Sequence, residues 1–171
     1  GQPRLQAAVR ALVMGRGIVA PPADPLITTG SQQAIDLLAR AFIEPGDVVV
    51  MERPSYLAAL QVFSLVDADV LGVPTDEHGM CLPLPQGAEL ARAKLVYTVT
   101  NFANPSGVTM SRERRLALLR WAVANRVFVV EDDPYGELRF GGRPVPALVT
   151  LATEVPGAGD WCGYVSTLSK I

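Results

Sequence analysis

The sequence is poor in the residues from which metal centres and hydrolytic triads are built. Among 171 residues there is one histidine, and there are two cysteines. His78 stands alone in the polar turn Asp76-Glu77-His78-Gly79, so a metal site or a Ser-His-Asp triad has little support, and no metal is expected. Cys81 and Cys162 lie far apart without metal-type spacing, which reads as two reduced thiols in a cytoplasmic protein. An excess of one charge is also missing. Fifteen Lys and Arg stand against seventeen Asp and Glu, a net charge of −2, with the arginines scattered, so no direct nucleic-acid contact is expected from this segment. Apolar runs such as Val48-Val49-Val50-Met51 and Val127-Phe128-Val129-Val130 fall far short of the roughly 18 to 20 residues of a membrane helix, so no membrane partner is expected. A Gly-x-Gly-x-x-Gly turn is absent after the first expected strand, which argues against an ordinary doubly wound nucleotide binder. Internal repeats and low-complexity tails are absent too.

Lysine is scarce, which compositional bias and chance explain when the count is taken alone. Of the basic residues only Lys94 and Lys170 are not arginine, and only lysine condenses with an aldehyde. What the chain has in quantity is apolar residues, 49% of the total, enough for one domain with a substantial core. Short β-branched runs alternate with helical patterns, the rhythm of a mostly parallel α/β sheet. The pattern predicts a helix over 2–14, a Pro-rich connection through Pro21, Pro22 and Pro25, and a first strand over 26–29 leading into Gly30-Ser31. A helix follows from Gln32, with Ala34, Leu37, Leu38, Ala41 and Phe42 at helical spacing and Pro45-Gly46-Asp47 as its stop. Further strands are expected over 48–51, 69–73, 95–99, 127–130 and 162–167. Helices are expected over 56–66 and from an N-cap at Ser111 to Asn125, and nothing regular over 74–87. The abrupt start and finish lead to the expectation of a fragment of something longer.

Ligand sites of open parallel sheets form beyond the carboxyl ends of the strands, and the unusual polar residues fall there. Gly30-Ser31-Gln32 would offer amides, a hydroxyl and a helix dipole to a phosphate, or be an ordinary N-cap. Asn104-Pro105-Ser106-Gly107 follows the fourth expected strand and could be a simple turn. Asp132 ends an apolar strand, where an unpaired carboxylate is costly, so a cationic partner is expected, or else a capping role. Lys170 ends the last strand, or is merely a solvated terminus. Taken as a set, with the phenol of Tyr135, these groups suit an aromatic aldehyde bearing a phosphate, a phenolic oxygen and a basic ring nitrogen. Pyridoxal phosphate has those features, and its chemistry needs a lysine and an acidic partner for the ring nitrogen.

The same residues, in order, resemble the fold-type I pyridoxal-phosphate aminotransferases (class I/II), in particular the branch with the aminoadipate and kynurenine aminotransferases. The landmarks are Gly1-Gln2-Pro3-Arg4-Leu5-Gln6, Ile27-Thr28-Thr29-Gly30-Ser31-Gln32-Gln33-Ala34, Pro45-Gly46-Asp47, Glu52-Arg53-Pro54-Ser55-Tyr56, Asn104-Pro105-Ser106-Gly107, Glu131-Asp132-Asp133-Pro134-Tyr135 and Ser169-Lys170. The resemblance implies a three-layer α/β sandwich, the large cofactor-binding domain of this fold, cut after the lysine, with the small domain outside this chain. It implies transfer of an amino group from an amino acid to a 2-oxo acid, normally in a homodimer. Lys170 would form the Schiff base and shuttle the proton, Asp132 would keep the pyridine nitrogen protonated, and Asn104 and Tyr135 would bond the phenolic oxygen. Tyr56 would pack on the ring, while Gly30, Ser31, Gln32, Thr167 and Ser169 would hold the phosphate. Ser166 stands where the family more often has glycine, Leu168 where it has an aromatic, and Ala103 where it often has a polar residue. A strand that in relatives enters between the first strand and the lysine strand would lie beyond Ile171, so the chain alone is expected to bind the cofactor weakly or not at all. MocR-type regulators carry a similar domain behind a winged helix, and fold-type I lyases and decarboxylases share the cofactor shell, so both remain alternatives.

Overall fold

The computed structural model describes residues 2–19, 24–82, 84 and 87–170. Six strands form one sheet in the order β3-β2-β1-β4-β5-β6, where β1 is Val48–Arg53, β2 Asp69–Asp76, β3 Gly79–Met80, β4 Ala93–Val99, β5 Phe128–Asp132 and β6 Cys162–Val165. All pairings are parallel except that of β2 with β3. The helices are α1 (Pro3–Gly15), α2 (Gly30–Phe42), α3 (Leu57–Leu65), α4 (Ala88–Ala91), α5 (Arg112–Asn125) and α6 (Leu148–Leu151).

Strand alternation explains the layering. Central strands of a parallel sheet are covered on both faces, so successive residues feed two cores. Val48, Val50, Val96 and Val129 join Leu118, Leu119, Ala122, Leu148 and Leu151 on the face covered by α5 and α6. Val49, Met51, Leu95, Tyr97, Val99 and Val130 join Ile35, Ala39, Val62 and Phe63 on the face covered by α2 and α3. This is the three-layer α/β sandwich with a mostly parallel sheet.

Helix ends follow local chemistry. Ser111 caps α5 as expected, its Oγ accepting from the Arg114 N–H at 3.2 Å, and Arg126 ends that helix with φ +56°. Gly30 opens α2 with φ +76°, a conformation costly for any residue with a Cβ.

Several expectations need correction. Residues 26–29 form no strand: a strand needs a ladder partner, and none of the sheet pairings includes them. The helix expected from Gln32 begins two residues earlier, at Gly30. The stretch expected to be irregular over 74–87 instead continues β2 to Asp76 and turns back into β3, with Thr75 opposite Met80 and Asp76 opposite Gly79. Pro83, Pro85 and Gln86 of that stretch, like Gly1, Pro21, Pro22 and Ile171 elsewhere, lie outside the described residues. The last strand stops at Val165, leaving Thr167 beyond the ladder.

Candidate functional site

Parallel register brings the polar residues to one end of the sheet. Val99 pairs with Asp132 and Asp132 with Val165, so β4, β5 and β6 finish level, and the chain leaves β6 at that same carboxyl edge for the turn that carries Lys170. The Asp133 N–H donates to the Val165 carbonyl at 2.9 Å and Ser166 Oγ to the Asp133 carbonyl at 2.8 Å, which extends the β5–β6 junction past the strands.

Asp132 is the most constrained group there. It is 2% exposed and shares its face with the apolar wall of Val99, Val130 and Val165. The cation expected beside it is not present among the described residues. Its partner is the Tyr97 hydroxyl, which donates to Oδ2 at 2.6 Å, while Oδ1 is buried with no hydrogen bond. Burial pushes the Asp132 carboxyl up to about 6, the Tyr97 bond pulls it down, and the charge of Asp133 pushes it up again. An acceptor oxygen left bare in an apolar wall costs free energy until a donor arrives. A protonated ring nitrogen supplies both the donor and the counter-charge, so the site fits the pyridine end of pyridoxal phosphate.

The other end of that group would meet α2. Its first-turn amides have no intrahelical acceptors, Ser31 is half-buried, and Gly30 leaves open space where a Cβ would stand. The Gln32 side chain is otherwise engaged, its Nε2 donating to the Ala58 carbonyl at 3.0 Å, so what Gln32 offers an anion is its backbone N–H. Thr167 and Ser169 bond to each other, with Thr167 Oγ1 donating to Ser169 Oγ at 3.0 Å and accepting from the Ser169 N–H at 3.2 Å. Lys170 is exposed, as is Asn104; Tyr56 and Tyr135 are half-buried against the core that includes Asp132's neighbours.

Three groups escaped the sequence reading. Tyr97 is one; a tyrosine inside an apolar run reads as core, and only the strand register reveals its reach to Asp132. Arg115 is the second. It is fully buried and spends all five N–H donors: Nε on the Met110 carbonyl (3.0 Å), Nη1 on Glu131 (3.2 Å) and the Pro146 carbonyl (3.1 Å), Nη2 on the Thr100 carbonyl and Asn101 Oδ1 (both 2.9 Å). Burial pushes Glu131 up and Arg115 down, but each charge supports the other, and Glu131 also accepts from Thr100 Oγ1 and the Leu148 N–H. This knot anchors the loop that carries Asn104. Third is Arg16, just past α1, which donates to Tyr164 (3.1 Å) and Ser166 (2.9 Å) and pairs with Glu137 at 2.7 Å, while Tyr164 donates to Asp133 at 3.0 Å. Ser166 thereby ties the end of α1 to the lysine-bearing end of the chain. Cys81 and Cys162 are both free thiols, and among the described residues no acidic, His or Cys cluster could hold a metal and no helix is long and apolar enough to cross a membrane.

Comparison with known proteins agrees with this geometry. An aromatic-amino-acid aminotransferase of Thermococcus litoralis is 46% identical over 154 residues, covering 86% of this chain and 36% of that protein. The probable rhizopine catabolism regulatory protein MocR of Rhizobium meliloti is 34% identical over 152 residues, covering 88% of this chain and 30% of that one. The crystal structure of the kynurenine aminotransferase of Pyrococcus horikoshii in complex with PMP superposes with a TM-score of 0.90 at 41% identity, covering 100% of this chain and 43% of that chain. The chain thus spans roughly a third of the length of the curated relatives it matches. The family model for aminotransferase class I and II matches residues 1–171, so the chain belongs to the class I and II aminotransferases.

Proposed function

We propose that residues 1–171 are part of the large domain of a pyridoxal-phosphate aminotransferase that moves an amino group from an amino acid to a 2-oxo acid. The observation that carries this reading is the buried Asp132 carboxylate with one oxygen unpartnered, at the same carboxyl edge from which the Lys170 turn departs. When bound, the cofactor supplies an electron sink for the electron pair left as a substrate α-proton departs. The rest is this chain's work. Asp132 accepts the ring N–H through Oδ1 and holds that nitrogen protonated. Lys170, the base, takes the proton from the substrate α-carbon and returns it on the other side of the transfer. Asn104 and Tyr135 donate to the phenolic oxygen, and Tyr56 covers a ring face. Gly30, Ser31, Thr167, Ser169 and the Gln32 amide bind the phosphate dianion, with the α2 dipole adding to their attraction. The small domain and a second subunit complete the substrate side, in a cytoplasmic homodimer.

One observation favours a second reading. Regulators such as MocR match alongside the enzymes, so the same cofactor site could sense an amine rather than turn it over. Conversion of a 2-oxo acid to its amino acid separates the two, since a sensor releases no amino-acid product.

The chain's two lysines make a direct test of the cofactor site. Residues 1–171 are mixed with a large excess of pyridoxal phosphate, reduced with borohydride and mapped by mass spectrometry. Label should concentrate on Lys170 over Lys94, which is exposed too, and Asp132→Asn should remove that preference. Equal labelling of the two lysines would overturn the reading. At stoichiometric cofactor the yellow band should be weak, because no strand flanks the outer side of β6 among the described residues.

A further inference from the structure

We infer that Tyr97 is a positioning residue for the cofactor ring: by donating to Oδ2 of Asp132 it fixes that carboxylate and leaves the buried, unpartnered Oδ1 as the acceptor for the ring nitrogen. The inference deepens the cofactor reading above and rests on it.

The geometry leaves Asp132 few choices. A carboxylate in an apolar wall can rotate about its last torsion, presenting either oxygen or neither. The Tyr97 hydroxyl, 2.6 Å from Oδ2, removes that freedom. Tyr97 itself cannot drift. It is completely buried, its neighbours in β4 are held by ladders to both β1 and β5, and its ring meets Phe63 edge-on at 5.9 Å. Burial and the adjacent carboxylate raise the phenol far above its ordinary value, so it stays a donor across the whole working range of pH.

The bond also tunes charge. A donor to the ionised form favours ionisation, which is the form a ring cation needs. The titratable groups that bear on this pair are few. Asp133 acts on Asp132 from the position just past β5, while Glu52 near the end of β1 and Tyr56 just before α3 act on Tyr97. From β6 the residue level with Asp132 is the apolar Val165. Tyr97 is therefore the one hydrogen-bond donor to the Asp132 side chain among the described residues, and it opposes both burial and Asp133.

The test reads Asp132 directly, without turnover. In residues 1–171 carrying aspartate labelled with carbon-13 at the side-chain carboxyl, titration by NMR should show the Asp132 pKa rising by about one unit in Tyr97→Phe, a tenfold change in its ionisation constant. Replacing Tyr97 with 3-fluorotyrosine, a stronger donor that keeps the ring's shape, should move the pKa the other way. A merely structural role would not reverse sign between the two, and the fluorinated chain carries the test if the Phe variant fails to fold. A second reading tests the ring itself: Tyr97→Phe should weaken binding of pyridoxal phosphate several-fold while leaving binding of its analogue with carbon in place of the ring nitrogen unchanged. An Asp132 pKa unmoved by both substitutions, or equal weakening for both ligands, overturns the inference. Should Lys170 labelling fail while the Asp132 pKa still responds, the cofactor reading falls and the inference about the ring falls with it; labelling that succeeds over an unresponsive Asp132 removes the role of Tyr97 alone.

Discussion

Replacing Arg115 by methionine tests the buried knot behind the site, and its cost can be worked from the structure. The guanidinium is fully buried and every one of its five N–H groups has an acceptor within 3.2 Å. Methionine fills similar space but donates nothing. Three backbone carbonyls, Asn101 Oδ1 and Glu131 then lose a donor inside the protein. Each such group costs on the order of 1–3 kcal/mol if left unpaired, and removing one partner of a buried ion pair typically costs about 3–5 kcal/mol in all. An expected loss of about 4 kcal/mol is a large part of the stability of a domain this size, typically ~5–15 kcal/mol. Urea unfolding at low temperature, followed by far-ultraviolet circular dichroism, measures it. The loss should depend on pH in a defined direction. With the cation gone, burial and the charge of Asp133 raise the Glu131 carboxyl further against only the Thr100 and Leu148 bonds, so the folded state prefers the protonated acid. The penalty is then smallest near pH 5 and grows as pH rises toward 8. Adding Glu131→Gln to Arg115→Met should return about 2 kcal/mol at pH 8, since it removes the stranded charge. A loss below 1 kcal/mol, or one that shrinks as pH rises, would refute the reasoning.

Two further outcomes follow from burial and close contact. Glu52 is buried at the end of β1, accepting from Thr98 Oγ1 at 3.0 Å and the Val99 N–H at 3.2 Å, and burial raises its carboxyl from 4.5 to about 7. Stability from this group is present when it is protonated and is lost as pH climbs from the unfolded to the folded value, about 3 kcal/mol in total at 1.36 kcal/mol per unit. Chemical denaturation of wild type and Glu52→Gln across pH 4 to 8 should therefore show curves that converge or cross; parallel curves would contradict the assignment. Gly136→Ala would place a Cβ 2.6 Å from Asp133 Oδ2, breaking the Gly136 N–H bond to Oδ1 (2.9 Å) and crowding the Tyr164 contact. It should lower stability by ~2 kcal/mol and Tm by several degrees, read by thermal unfolding; an unchanged Tm would show that the turn moves freely.

Much of this molecule was legible from residue order alone. Alternation of β-branched runs with helical spacing predicted every strand from β1 through β6 except β3; for β1, β4 and β5 the reason is that nearly all their residues are buried, so their apolar runs carry the signal by themselves. The Ser111 cap and the carboxyl-edge placement of Asp132 and Lys170 were readable for the same reason: both depend on neighbours in sequence. Residues 26–29 show the opposite case, since β propensity is local but a ladder needs a second strand beside it. The polar couplings were likewise invisible. Tyr97 and Asp132 are 35 positions apart, Arg115 and Glu131 16, Arg16 and Ser166 150. Only the lateral register of β4, β5 and β6 decides which oxygen of Asp132 has a partner and which is left bare, because hydrogen bonding at 3 Å is a property of packed geometry and not of the order in which residues are joined.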